Sequence, residues 1–127
     1  MRKIILFLFI AFTAISANAQ LTNTKWKGTL QLEPATDVLF DFRKDTAEVF
    51  TLADNGSLEI MLYTIKGNEL TLQKITGKSD CDENVIGKYK FEMKFENNND
   101  EIVLTRMDDG CDDRGNVLDK TKWTKVR

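Results

Sequence analysis

The chain contains no histidine, and that one absence removes a good deal of chemistry. Without an imidazole there is no Ser–His or Cys–His nucleophile and no His-ligated metal. Cysteine is nearly as scarce: Cys81 and Cys111 are the only two, and they form no CxxC pair of the redox or zinc kind. The single proline, Pro34, leaves most of the chain free to run in hydrogen-bonded ladders. No run of Lys or Arg makes a polybasic face, and the formal charge is −2, so neither a nucleic-acid partner nor an anionic membrane surface is expected. An enzyme is not expected either. The carboxylates sit mainly in turns or alternate with lysines on an outward face, where nothing tunes them for acid–base work.

What is present begins with an export signal. Met1–Ala19 starts with Arg2 and Lys3, continues as an apolar run from Ile4 to Ile15, and closes on Ala17-Asn18-Ala19, the small-x-small pattern that signal peptidase reads. The alternative, a membrane anchor, is disfavoured because the run falls well short of the roughly 20 residues that span a bilayer. No cysteine follows the run to carry a lipid. Cleavage before Gln20 leaves about 108 residues, one domain over 20–127, and takes the formal charge to −4 with the loss of Arg2 and Lys3. The mature chain is expected in the periplasm or outside the cell. There Cys81 and Cys111 are expected to form a disulfide, two unpaired thiols being the alternative. Such a bond closes a loop of about 31 residues and contributes on the order of 3–4 kcal/mol.

The mature chain alternates with a period of two, the strand period. Trp26, Gly28, Leu30 and Leu32 share a face before Pro34 stops the ladder, and Val38, Phe40 and Phe42 share the next. Thr46–Leu52 makes a third strand, and Asn55-Gly56 then supplies the positive-φ residues of a hairpin turn. Leu58–Ile65 is apolar on both faces, Leu58, Ile60 and Leu62 on one and Met61, Tyr63 and Ile65 on the other, and both sets do not fit inside one barrel. The second set is expected either to meet a partner or to be covered by the N-terminal segment, a loop or the terminal element. Glu69–Ile75 is a fifth strand, Ile86–Glu96 the most regular alternation, Glu101–Met107 a seventh and Thr121–Val126 the last. Thr76–Asn84 and Asp108–Asp119 read as polar loops, and the best helical stretch, Gly115–Lys122, is short. The fold class is therefore all-β. An antiparallel meander of about eight strands fits an up-and-down barrel better than a sandwich or an open sheet.

Several short motifs sharpen this. Trp26-Lys27-Gly28 near the start and Gly87-Lys88-Tyr89-Lys90-Phe91 are two of them. Leu104-Thr105 leading to Asp109-Gly110-Cys111-Asp112-Asp113-Arg114, and the terminal Lys122-Trp123-Thr124-Lys125-Val126, complete the set. With a signal peptide and an eight-strand meander, the chain resembles the small secreted bacterial lipocalin-like (calycin) proteins. It departs from the larger lipocalins in reading Trp26-Lys27-Gly28 where they carry Gly-x-Trp, in being much shorter, and in lacking a clear C-terminal helix. The resemblance implies a barrel that holds a small apolar molecule, with Arg114 or Arg106 covering Trp26.

Three constellations are candidates for function. Trp26, Phe40, Phe42, Tyr89, Phe91, Met93, Phe95 and Trp123 either line a ligand cavity, with Tyr89 or a tryptophan N–H orienting a polar end, or simply fill the barrel. An eight-stranded barrel is only just wide enough for side chains, so filling is favoured. Second, Asp80, Asp82 and Glu83 around one cysteine, with Asp108, Asp109, Asp112 and Asp113 around the other, gather carboxylates at one end if the disulfide forms. No other cofactor is expected, but such a group is chemically suited to calcium. DDGCDDRGN lacks the EF-hand spacing, and a solvated acidic rim balanced by Lys78 and Arg114 is the plainer reading. Third, the two-faced strand Leu58–Ile65 suits a protein partner. The expected role is a non-catalytic binding protein for a small hydrophobic molecule, the alternative being a protein-interaction or inhibitor module.

Overall fold

In the computed structural model, which describes residues 21–94 and 100–127, the alternating stretches become eight antiparallel strands and a short helix. The strands are β1 (Thr24–Leu30), β2 (Thr36–Phe42), β3 (Thr46–Thr51), β4 (Ser57–Lys66), β5 (Glu69–Gly77), β6 (Ile86–Lys94), β7 (Glu101–Asp109) and β8 (Thr121–Val126). Each pairs with its sequence neighbour, and β8 pairs with β1, so the sheet closes into an up-and-down barrel. Closure removes the free edges that an open meander would expose. The expected leader, Met1–Ala19, lies outside the described residues, as do Phe95 and the turn at 96–99.

The inward face is the one the alternation indicates. Trp26, Val38, Phe40, Phe42, Tyr89, Phe91 and Trp123 are all buried, and Leu70, Leu72, Ile102 and Leu104 complete the layer. Phe40 stacks on Phe42 with ring centroids 4.4 Å apart and meets Trp123 edge-on at 5.2 Å, an arrangement that suits the ring quadrupoles. Gly28 is required beside them, since a Cβ there would lie 2.6 Å from the Trp123 ring.

Two expectations are corrected. The first concerns β4, whose inward residues are Met61 and Tyr63, both buried, with Ile65 half-buried on the same parity, whereas Leu62 is exposed. Register explains it: Met61 pairs with Ala47 and Tyr63 with Leu72, both core residues, and the Tyr63 hydroxyl donates to Arg43 O and reaches Thr22 Oγ1. Leu58 nonetheless packs on the core edge. Second, the segment expected as the loop Asp108–Asp119 contains a helix, α1 (Asp112–Leu118), three residues upstream of the best sequence candidate. Seven residues are too few for a helix to stand alone. Tertiary contact holds α1: Arg114, Gly115 and Leu118 are buried against the barrel, and Asp112 and Asp113 suit the positive end of its dipole.

The hairpin turns alternate between two ends. The β2–β3 and β4–β5 turns lie at one end, which we call lower, with Leu21 buried near Tyr63. The β3–β4 turn, the β5–β6 loop and α1 lie at the upper end. Register shifts occur between Val49 and Phe50, between Ile60 and Met61, and between Lys88 and Tyr89. Such bulges raise local twist and re-aim side chains. No described helix is long and apolar enough to cross a membrane, which says nothing about strands.

Candidate functional site

At the upper end a cavity of about 430 Å³ opens between α1 and the β3–β4–β5 side of the barrel. Leu30, Val49, Met61 and Leu118 are its buried apolar lining, and Leu32, Leu58 and Val117 its half-buried walls. The polar groups at its border are Glu33, Glu59, Lys78, Ser79, Asp80, Asp113 and Arg114. The volume falls within the range that holds a drug-sized molecule, and an apolar wall with a few placed polar groups is the usual composition of such sites.

Two buried charge clusters frame it. In the first, Arg114 grips Asp109: Nε donates to Oδ2 at 2.7 Å and Nη2 to Oδ1 at 2.8 Å, with side-chain exposures of 5% and 0%. Nη2 also donates to Val85 O at 2.9 Å, the Cys111 N–H donates to Asp109 Oδ1 at 2.8 Å, and the Tyr89 hydroxyl donates to Asp109 Oδ2. The β6–β7 bulge makes this possible. Tyr89 pairs with Arg106 and Lys88 with Asp108, so Met107 is the extra residue and the parity of β7 flips, turning Asp109 inward instead of Asp108. Gly87 leaves the space, because a Cβ there would collide with the Asp109 carboxylate and lie 2.9 Å from Arg114 Nη2.

Burial on its own would push the Asp109 pKa up, but hydrogen bonds from Arg114, Tyr89 and the Cys111 amide outweigh it and hold the carboxyl below the ordinary carboxylate range. Burial, then the hydrogen bond to Asp109, pushes the Tyr89 phenol far up. For Arg114, burial opposes the charge, yet the bonds to Asp109 keep the guanidinium firmly protonated.

In the second cluster, Lys74 on β5 faces Glu59 on β4. Lys74 Nζ donates to Ser79 O and Cys81 O, both at 2.8 Å, and lies 3.7 Å from Glu59 Oε1. Glu59 in turn accepts from the Ser79 hydroxyl at 2.9 Å and the Ser79 amide at 3.2 Å. This cluster fastens the loop that carries Cys81. The disulfide Cys81–Cys111, with Cα atoms 5.5 Å apart, then ties that loop to the start of α1. Both walls of the cavity are thus anchored to one another.

The expected aromatic set lies elsewhere. Trp26, Phe40, Phe42, Tyr89, Phe91 and Trp123 are core residues, Met93 is half-buried, Phe95 is outside the described residues, and none of the eight lines the cavity. Their polar ends are engaged internally: Trp26 Nε1 donates to Thr24 Oγ1 and Trp123 Nε1 to Thr121 Oγ1, each at 2.8 Å, and Tyr89 is committed to Asp109. Arg106 is likewise taken up, donating to Asp112 at 2.9 Å, Asn116 at 3.2 Å and Asp109 O at 3.0 Å. It therefore braces α1 against β7 instead of covering Trp26.

No protein-family model, curated protein or solved structure matches this chain.

Of the acidic residues singled out from sequence, Asp109 is bound to Arg114 and Asp112 to Arg106, while Asp108 and Asp113 are exposed. Among the described residues no group of three or more His, Cys, Asp or Glu side chains is arranged to hold a metal ion. Sequence reasoning passed over Glu59 and Lys74. The signal was available: each breaks an inward apolar series, Glu59 before Met61 and Tyr63, Lys74 after Leu70 and Leu72, with opposite charges on neighbouring strands. A more open, polar depression of about 750 Å³ lies between β1 and the α1–β8 connection, bordered by Lys27, Thr29, Asp37, Lys120 and Lys122. Its border lacks the apolar character of the upper cavity.

Proposed function

We propose that this chain is an exported, lipocalin-like, non-catalytic protein that binds a small hydrophobic molecule in the cavity beneath α1. The supporting observation is the cavity itself, about 430 Å³ and walled by Leu30, Leu32, Val49, Leu58, Met61, Val117 and Leu118. The closed eight-strand barrel is compatible with a lipocalin-like assignment. The disulfide suits an oxidising compartment, the periplasm or the exterior, as does the leader pattern of Met1–Ala19. Native mass spectrometry of protein purified gently from its own host tests the reading. A carried mass in the range of a small organic molecule is the expected result, lost on substitution of Val117 by tryptophan, which fills the cavity. A bare protein mass that stays bare after incubation with host lipid extract counts against it.

A second reading, a protein-interaction module, draws on the outer face. Leu62, Ile75, Ile86 and Met107 are exposed on four consecutive strands, β4 to β7, Met107 at 57%. A co-purifying protein in the same experiment, released by Met107→Glu, favours this reading over the first.

A further inference from the structure

The cavity wall contains one unusual group. Arg114 is only 6% exposed and borders the cavity, yet its Nη1 is buried with no hydrogen-bond partner, alone in this among the buried side-chain nitrogens and oxygens of the described residues. The rest of the guanidinium is spoken for, with Nε and Nη2 held by Asp109 and Val85 O. Buried donors are nearly always paired, and an arginine nitrogen offers two N–H bonds that only an acceptor can satisfy. The acceptor's charge is set by what surrounds it. Asp109 already balances the Arg114 charge, and Lys74 faces Glu59. At the border that leaves Glu33, Asp80 and Asp113 against Lys78, an excess of negative charge. A carboxylate or phosphate head would enter against that field with no free cation to meet it.

Resting on the cavity reading above, we infer that the ligand is an uncharged, largely apolar molecule bearing a carbonyl-type acceptor oxygen, which receives a hydrogen bond from Arg114 Nη1 while its hydrocarbon part lies against Leu30, Val49, Met61 and Leu118. The anchor sits on a side chain fixed by three other hydrogen bonds, so it is oriented before the ligand arrives, and the charge of the guanidinium strengthens the bond.

Three probes that differ only in the head test this: methyl decanoate, decanoate and decane, titrated into the disulfide-intact protein. The ester binds at least about tenfold tighter than either of the others, the worth of one hydrogen bond from a charged donor. Arg114→Lys keeps a cation opposite Asp109 but removes Nη1, and it brings the ester to the affinity of decane. Independently of how that variant folds, the isotope-labelled carbonyl carbon of the ester shifts downfield on binding to the wild-type protein, as hydrogen bonding to its oxygen requires. Equal affinity for ester and decane, tightest binding of decanoate, or an unshifted carbonyl each overturns the inference and leaves the cavity reading standing. Failure of all three probes to bind overturns both.

Discussion

Asp109 holds together more of the upper end than any other side chain described. It accepts from Arg114 twice, from Tyr89 and from the Cys111 amide, so it joins β6, β7 and α1 at one carboxylate. Replacing one partner of a buried pair is costly because the other charge is left uncompensated. Asp109→Asn is therefore expected to lower the unfolding free energy by about 3–5 kcal/mol, read from urea melts. The same group makes stability depend on acidity. Its folded pKa lies below the unfolded value of about 3.9, so its contribution is intact at neutral pH and is lost as pH falls through the folded value. Tyr89 acts in the opposite direction: its phenol stays neutral in the fold, and stability declines as pH rises beyond the unfolded value of about 10. Melts from acid to alkali should show both limbs, and Asp109→Asn should flatten the acid one.

At the scale of elements, the disulfide joins the Cys81 loop to the first residue before α1, and both segments border the cavity. Reduction, or Cys81→Ser with Cys111→Ser, is expected to cost on the order of 3–4 kcal/mol and to weaken ligand binding by more than it weakens the lower half of the barrel. Urea melts with and without reductant give the first figure, and probe titrations give the second. The elements also show where sequence reading reaches and where it stops. Strand positions followed from alternation because Trp26, Val38, Phe40, Tyr89 and Phe91 each occupy every second place on one face. The same rule failed at Ile75 and Met107, where a bulge inserts one residue and reverses the parity of the rest of the strand. It failed again at α1, where Gly115 interrupts a short helix whose stability comes from packing and from Arg106. The cavity could not be read at all. Its walls come from Leu30, Val49, Leu58 and Val117, far apart in the chain, and each looks like an ordinary core residue until the barrel assembles them.

For the whole molecule, the barrel is a filled vessel with one soft end. Stacked rings occupy the layer around Phe40, Phe42 and Trp123, and Tyr63 with Leu21 is buried toward the lower end, so space for a guest is left at the upper end. Core and cavity are correspondingly separable. Phe40→Ala should cost about 3–5 kcal/mol in a urea melt, whereas Val117→Ala, at a half-buried wall, should change ligand affinity more than global stability.

The seam between β1 and β8 carries a further consequence, one of time. Only three residue pairs close it, Lys25–Val126, Trp26–Lys125 and Lys27–Thr124, and they join positions about a hundred residues apart, the longest loop the chain must close. Contacts of such separation form late in folding and open early in native fluctuations. The amides of Lys25, Lys27 and Thr124 should thus exchange with solvent faster than those of the β6–β7 ladder, which has eight register pairs. Pulse-labelled exchange during refolding should find β6 and β7 protected first. The barrel then behaves as a sheet rolled around its C-terminal hairpin and latched last along its shortest ladder.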